Sequence, residues 1–204
     1  MHSLPAPPRL ILGSGSKYRK ELLSRLKIPF SVAVPDIDES PRPEETPEAT
    51  ALRLAREKAA AIAGRESEAI VIGCDQVATM DGEQIGKPGS HDNALKQLQK
   101  MRGRRVVFHT ALCLWDGREN PPGGTLQLEN IQTFVTFRDL QDTELDAYLR
   151  IEQPYDCAGS AKNEGLGIAI IERIESNDPT ALTGLPLIAL TTMLRHAKIS
   201  FFSG

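Results

Sequence analysis

Ala69-Ile70-Val71-Ile72-Gly73-Cys74-Asp75-Gln76-Val77-Ala78-Thr79-Met80-Asp81-Gly82-Glu83-Gln84-Ile85 is the stretch whose reading decides the fold. Ala69 to Gly73 is a continuous apolar run of strand length, and it runs straight into Cys74-Asp75-Gln76. That places Asp75 just past the carboxyl end of a buried strand. Asp81-Gly82 is a hairpin signal joining Val77–Met80 to Gln84–Ile85, because both turn positions favour residues that tolerate positive φ.

The flanks agree. Arg9 to Leu12 reads as a short strand ending in Gly13-Ser14-Gly15-Ser16, followed by a helix with Leu22, Leu23 and Leu26 on one face. Ile28 to Val34 reads as a second strand and Pro35 to Pro43 as an acidic, proline-rich loop. Thr46 and Pro47 open a helix that Gly64 ends, with Leu52, Ala55 and Ala59 inward and Arg53, Arg56 and Glu57 pointing elsewhere. Ser90 caps a helix carrying Ala94, Leu98 and Met101, closed by Gly103. Val106–Trp115 and Leu126–Phe137 are two long strands joined by the Gly117–Gly124 loop. Asp142 caps a further helix with Leu145, Tyr148 and Leu149. Gly167–Ile174 reads as a strand, and Pro186 starts the last helix with Leu187, Leu190 and Leu194 inward. Alternation in the first half and antiparallel pairs in the middle predict an α/β fold with a mixed sheet rather than a pure doubly wound one.

Composition bounds the function. The 204 residues are 40% hydrophobic and 25% charged, enough for a buried core, and a net charge of −3 without any like-charge block argues against a long nucleic acid as partner. Cys74, Cys113 and Cys157 are odd in number and widely spaced, which excludes a disulfide framework and a paired-cysteine zinc site and predicts a reducing compartment. With no signal sequence and no membrane-length apolar run, the expectation is a cytoplasmic protein with no membrane partner. Residues 1–8 are expected to be a disordered tail and 9–204 a single domain, without internal repeats.

Several residues can carry chemistry. Gly13-Ser14-Gly15-Ser16-Lys17-Tyr18-Arg19 has the makings of a phosphate cradle: close backbone approach, hydroxyl and amide donors, and a helix start. A plain strand-to-helix connection uses the same residues. For Asp75, metal or water activation and simple turn capping stand level. The Asp36, Asp38 and Glu39 carboxylates in Pro35–Ser40 bind a hard cation if they converge and are otherwise solvated. Taken singly, Lys58 and Lys87 also have the plainer reading of surface lysines. Cys157-Ala158-Gly159-Ser160 finds no base among His2, His91, His109 and His196, so covalent thiol or serine catalysis is set aside.

In order, Leu10–Ser16 with Arg19, Pro35–Glu39, Ala55–Ala59, Gly73–Val77, Gly86-Lys87-Pro88, Ala158-Gly159-Ser160 with Glu164-Gly165, and Gly184-Leu185-Pro186 resemble the Maf family of nucleotide pyrophosphatases from about Arg9 to Arg195. The pattern departs at Ser16-Lys17, where the family commonly has Ser-Pro. The resemblance implies an elongated, two-lobed fold of the Maf/Ham1, ITPase-like kind with a cleft between lobes, often in a homodimer. It implies water attack on a nucleoside triphosphate with pyrophosphate leaving, aided by Mg²⁺ or Mn²⁺. It assigns catalysis to Asp75, the metal to Asp75 and Glu39, and phosphate contacts to Ser14, Arg19, Lys58 and Lys87. Branches differ at the positions of Tyr18, Gln76 and Glu164; Gln76 with Glu164 looks like the 7-methyl-GTP branch, a house-cleaning activity on modified nucleotides. A methylated guanine is cationic, so an aromatic face and a carboxylate suit it; Tyr18 packed on its helix and Glu164 exposed in a turn is the plainer alternative. A pyrophosphatase for dTTP, UTP or other modified nucleotides, or a division-linked nucleotide-binding regulator without turnover, are the other functions implied.

Overall fold

The structure, a computed structural model, describes residues 8–66, 68–118 and 124–202. The expected tail is confined almost wholly to residues outside that set, as is the middle of the Gly117–Gly124 loop. The chain order is β1 (Arg9–Gly13), α1 (Lys17–Ser24), β2 (Ser31–Val32), α2 (Pro47–Ala63), β3 (Ala69–Met80), β4 (Glu83–Ile85), α3 (His91–Met101), β5 (Arg105–Asp116), β6 (Thr125–Phe137), α4 (Asp142–Glu152), β7 (Ile171–Ser176) and α5 (Leu187–His196), with two short 3-10 turns at Ala158–Ser160 and Leu166–Ile170. One seven-stranded sheet runs β2-β1-β3-β5-β6-β7, with β4 paired to β3. β1 lies parallel to β2 and β3, and the other pairs are antiparallel. The mixed α/β sheet is therefore as the sequence predicts.

Local signals hold where the chemistry is local. Thr46 Oγ1 accepts from Ala49 N, Pro47 opens α2 and Gly64 caps it. Asp81 and Gly82 both have positive φ in the two-residue turn, and Ala78, Thr79 and Met80 pair with Ile85, Gln84 and Glu83. Ser90 caps α3, whereas α4 is capped by Gln141 in a capping box with Glu144, one residue before the expected Asp142.

Strand ends depend on partners, and there the reading needs correction. Asp75 is not beyond a strand. β3 is twelve residues long because β5 pairs with it rung by rung from Ile70 to Thr79, so Asp75 sits in its middle. The expected strand Ile28–Val34 shrinks to Ser31–Val32, since β1 ends at Gly13 and supplies one further bond, Ala33 N to Leu12 O. Gly167–Ile174 divides into a 3-10 turn and β7. Gly167 N donates to Lys162 O at 3.0 Å, which folds this segment back on the preceding loop, and pairing with β6 begins at Ile171. Arg53 does not point away; it is buried, with Nε 2.7 Å from Glu45 Oε1 and Nη1 3.0 Å from Glu57 Oε2.

Three apolar clusters hold the sheet. On one face, α1 and α5 pack over Leu10, Leu12, Ile70, Ile72, Cys74, Leu112 and Leu114. Further along the same face, α3 and α4 pack over Ala78, Met80, Val106, Phe108 and Val135. Side chains alternate along a strand, so on β3 the residue between these clusters is Gln76, paired across to Thr110. This polar rung is the seam between two cores built on the same two strands. On the opposite face α2 covers Ile11, Val71, Val77, Ala111 and Cys113.

Candidate active site

β3 loses β1 after the Gly13–Gly73 rung and gains β4 only at Ala78. The stretch from Cys74 to Val77 is therefore paired with β5 alone, and residues of both its faces can reach one opening. A cleft of about 840 Å³ lies there. Its walls include Ser14, Tyr18, Arg19, Glu39, Lys58, Asp75, Gln76, Lys87 and Glu164. Every residue assigned a role from the sequence thus borders a single space.

Asp75 points toward α2 and meets Lys58. Lys58 Nζ is 2.7 Å from Asp75 Oδ1 and 2.8 Å from Glu39 Oε1. The approach is set by Gly73: a Cβ there would lie 2.1 Å from Ala55 O and 2.7 Å from Ala59 N, so only glycine lets α2 come this close. Burial would raise Glu39, but the Lys58 hydrogen bond, with the charges of Lys58, Lys87 and Arg19, holds its carboxyl below the ordinary value. Asp36 does not border the cleft, and Asp38 is exposed and turned onto Ser40 N.

On the other side Ser16 caps α1, its Oγ accepting from Arg19 N, and Lys17 occupies the first helical position, where proline is also well accommodated. Arg19 is anchored by Nε to Gly184 O at 2.9 Å and by Nη1 to Cys74 O at 2.7 Å and Ser14 Oγ at 3.3 Å. Gln76 Nε2 reaches Thr110 Oγ1 at 2.9 Å and the carbonyls of Ala181 and Leu182 at 3.1 Å each. Its amide nitrogen is thus spent on the loop that also offers Gly184 O to Arg19. The Cys74 thiol donates to the same Gly184 O, and burial pushes its pKa up; burial also pushes the cleft-lining Cys157 to about 12. Neither holds a ready thiolate.

Lys87 sits on a braced loop. Gln97 Nε2 donates to Gly86 O, Asn93 Nδ2 to Pro88 O, and Gly89 N to Tyr155 O. Gln97 Oε1 also accepts from Ser160 Oγ at 2.7 Å, which joins the Lys87 loop to the Ala158–Ser160 turn. Tyr18 carries the Lys17 ammonium 5.0 Å from its ring centroid. Glu164 is exposed at the mouth, on a loop stapled by Glu152, which bonds both Lys162 Nζ and Leu166 N. The sequence reading missed Gln97, Asn163 (Nδ2 to Thr183 Oγ1, 3.2 Å) and Asp178, which caps α5 through Ile188 N and Ala189 N. Only Asp178 had a signal, the turn-rich Asn177-Asp178-Pro179-Thr180.

Among the described residues no three His, Cys, Asp or Glu side chains gather into one group, and no histidine borders the cleft. Asp75 and Glu39 nonetheless converge on the single point where Lys58 Nζ lies. Two carboxylates with room for ligand oxygens match the way Mg²⁺ is commonly held, through few protein oxygens and the substrate's phosphates.

An open mixed sheet with a carboxylate–lysine centre in a cleft lined by side chains of both charges defines an α/β protein with a polar, solvent-open site. The family model "Maf-like protein" matches residues 9–197, and the chain belongs to that family. It is 68% identical over 195 residues to a 7-methyl-GTP pyrophosphatase of Cupriavidus metallidurans, covering 96% of each chain. Proteins of the same name from Cupriavidus pinatubonensis and Ralstonia nicotianae are 63% and 62% identical, over 100% and 96% of this chain and 100% and 99% of theirs. Among solved structures the Ham1 protein of Staphylococcus aureus is similar in fold, with a TM-score of 0.53 at 15% identity over 93% of this chain and 99% of that one. No helix of the described residues is long and apolar enough to cross a membrane.

Proposed function

We propose that this chain hydrolyses 7-methyl-GTP to 7-methyl-GMP and pyrophosphate, clearing a modified nucleotide from the pool. The observation that carries the reading is the Asp75–Lys58–Glu39 cluster at the floor of a cleft rimmed by Arg19 and Lys87, in a chain so similar to 7-methyl-GTP pyrophosphatases. Water attacks, the anhydride bond between the α- and β-phosphates breaks, and pyrophosphate leaves with the bridging oxygen. Asp75 accepts the water's proton. Arg19, Lys58 and Lys87 neutralise the charge that grows on the leaving group, and Ser14 donates to a phosphate oxygen. Asp75 and Glu39 would hold Mg²⁺ or Mn²⁺, which would supply further charge neutralisation on the phosphates.

At the base end, Tyr18 stacks on the methylated ring and Glu164 accepts from the guanine N1–H and amino group, strengthened by the ring's positive charge. Gln76 acts on specificity through the Ala181–Gly184 loop. A homodimer in the cytoplasm completes the proposal; light scattering on the purified protein checks the dimer.

The test is pyrophosphate release from 7-methyl-GTP, GTP, dTTP, UTP and CTP, with and without Mg²⁺ or Mn²⁺. Metal-dependent preference for 7-methyl-GTP is expected. Preference for dTTP or UTP overturns the substrate, and no release from any of them overturns the enzyme.

A further inference from the structure

Three charged groups meet at one point in the cleft, and their surroundings differ. Lys58 rises from α2 with its side chain 7% exposed, and Asp75 is 10% exposed in mid-strand, so both are fixed by packing. Glu39 is 58% exposed on the Pro35–Glu45 connection. Lys58 Nζ bridges the two carboxylates at 2.7 and 2.8 Å. A cation drawn in by the same Asp75 and Glu39 oxygens meets an ammonium already there, and two cations cannot share that position, because repulsion at such separations is large in a partly buried site.

We propose that Lys58 is a resident counter-ion: it keeps Asp75 and Glu39 converged when no metal is present, and it must release them for a divalent cation to bind. The release needs another anion for the ammonium, and Lys58 is buried at the floor of a cleft whose other cations, Lys17, Arg19 and Lys87, suit a polyphosphate. The triphosphate therefore opens the metal position by drawing Lys58 off it, and linkage requires the reverse: metal at the carboxylates tightens the grip of Lys58 on the phosphates. The inference rests on Asp75 and Glu39 being the metal's carboxylates. Lys58 is then a positioning residue before it is a phosphate ligand.

The experiment is Mn²⁺ binding without nucleotide, read by electron paramagnetic resonance of the free ion, with melting curves in EDTA and in Mn²⁺. Lys58→Met is expected to bind Mn²⁺ at least tenfold tighter than wild type, to melt lower than wild type in EDTA, and to gain more from Mn²⁺. Lys58→Gln, which is uncharged but keeps a hydrogen-bond donor on the side chain, carries the same expectation should Lys58→Met fail to fold. Lys58→Arg keeps a bridging cation and binds Mn²⁺ as wild type does. Lys58→Met/Asp75→Asn loses the gain. Uncharged variants that bind Mn²⁺ no tighter than wild type overturn the inference. They do so whichever nucleotide is the substrate, because none is in the assay.

Discussion

Asp75 and Gln76 are adjacent in sequence and opposite in direction, and their roles follow from that. Asp75 meets Lys58 on the α2 face, while Gln76 spends its amide on the carbonyls of Ala181 and Leu182. Asp75→Asn removes the proposed proton acceptor but keeps a partner for Lys58, so pyrophosphate release should fall by several orders of magnitude with a melting temperature close to wild type; near-normal turnover would contradict the assignment. Gln76→Met should leave the Leu182 carbonyl without its donor, while Ala181 O keeps Thr110 Oγ1 and Gly184 N, and faster hydrogen exchange across residues 181–184 is the expected result. Glu164 is exposed at the mouth, so Glu164→Gln should not disturb folding. It should cut the preference for 7-methyl-GTP over GTP about tenfold, the scale of one charge-assisted hydrogen bond; an unchanged ratio of kcat/KM argues against base contact. Residue types were readable here because a carboxylate after an apolar run is a local pattern. The contact of Asp75 with Lys58, in another element, was not.

At the scale of elements, caps and turns were legible because their hydrogen bonds close within a few residues, as at Thr46 and Asp81-Gly82. Strand lengths were not, because β3 is as long as β5 allows and β2 as short as β1 requires. The seating of α2 on β3 depends on Gly73, whose missing side chain leaves room for Ala55 O and Ala59 N. Gly73→Ala forces the helix off the strand and should cost about 3 kcal/mol by overpacking, measured by urea unfolding. Because the same contact sets the reach of Lys58, activity should fall further than stability alone accounts for.

At the scale of the molecule, acid should unfold this protein in a definite window. The Arg53 hydrogen bonds pull Glu45 down to about 2, against an ordinary value of 4.5. A depressed carboxyl contributes stability that is complete above its unfolded value and lost as pH falls toward the folded one, so the melting temperature should drop between about 4.5 and about 2. Glu45→Gln should melt lower at neutral pH and show a shallower fall; a wild-type curve flat across that interval would contradict the pairing.

The family's cleft between lobes, expected from resemblance, has a physical origin that no local pattern disclosed: two cores share β3 and β5, parted by Gln76 and Thr110. Domains that close around a ligand often swing on a few loop residues. Here, among the described residues, β3 and β5 pass through the seam between the cores with their ladder intact, so continuous sheet joins the halves there. Joined in this way, the two halves should act as the ends of a leaf spring, with any gape or pinch of the mouth spread as a slight flexing over many rungs.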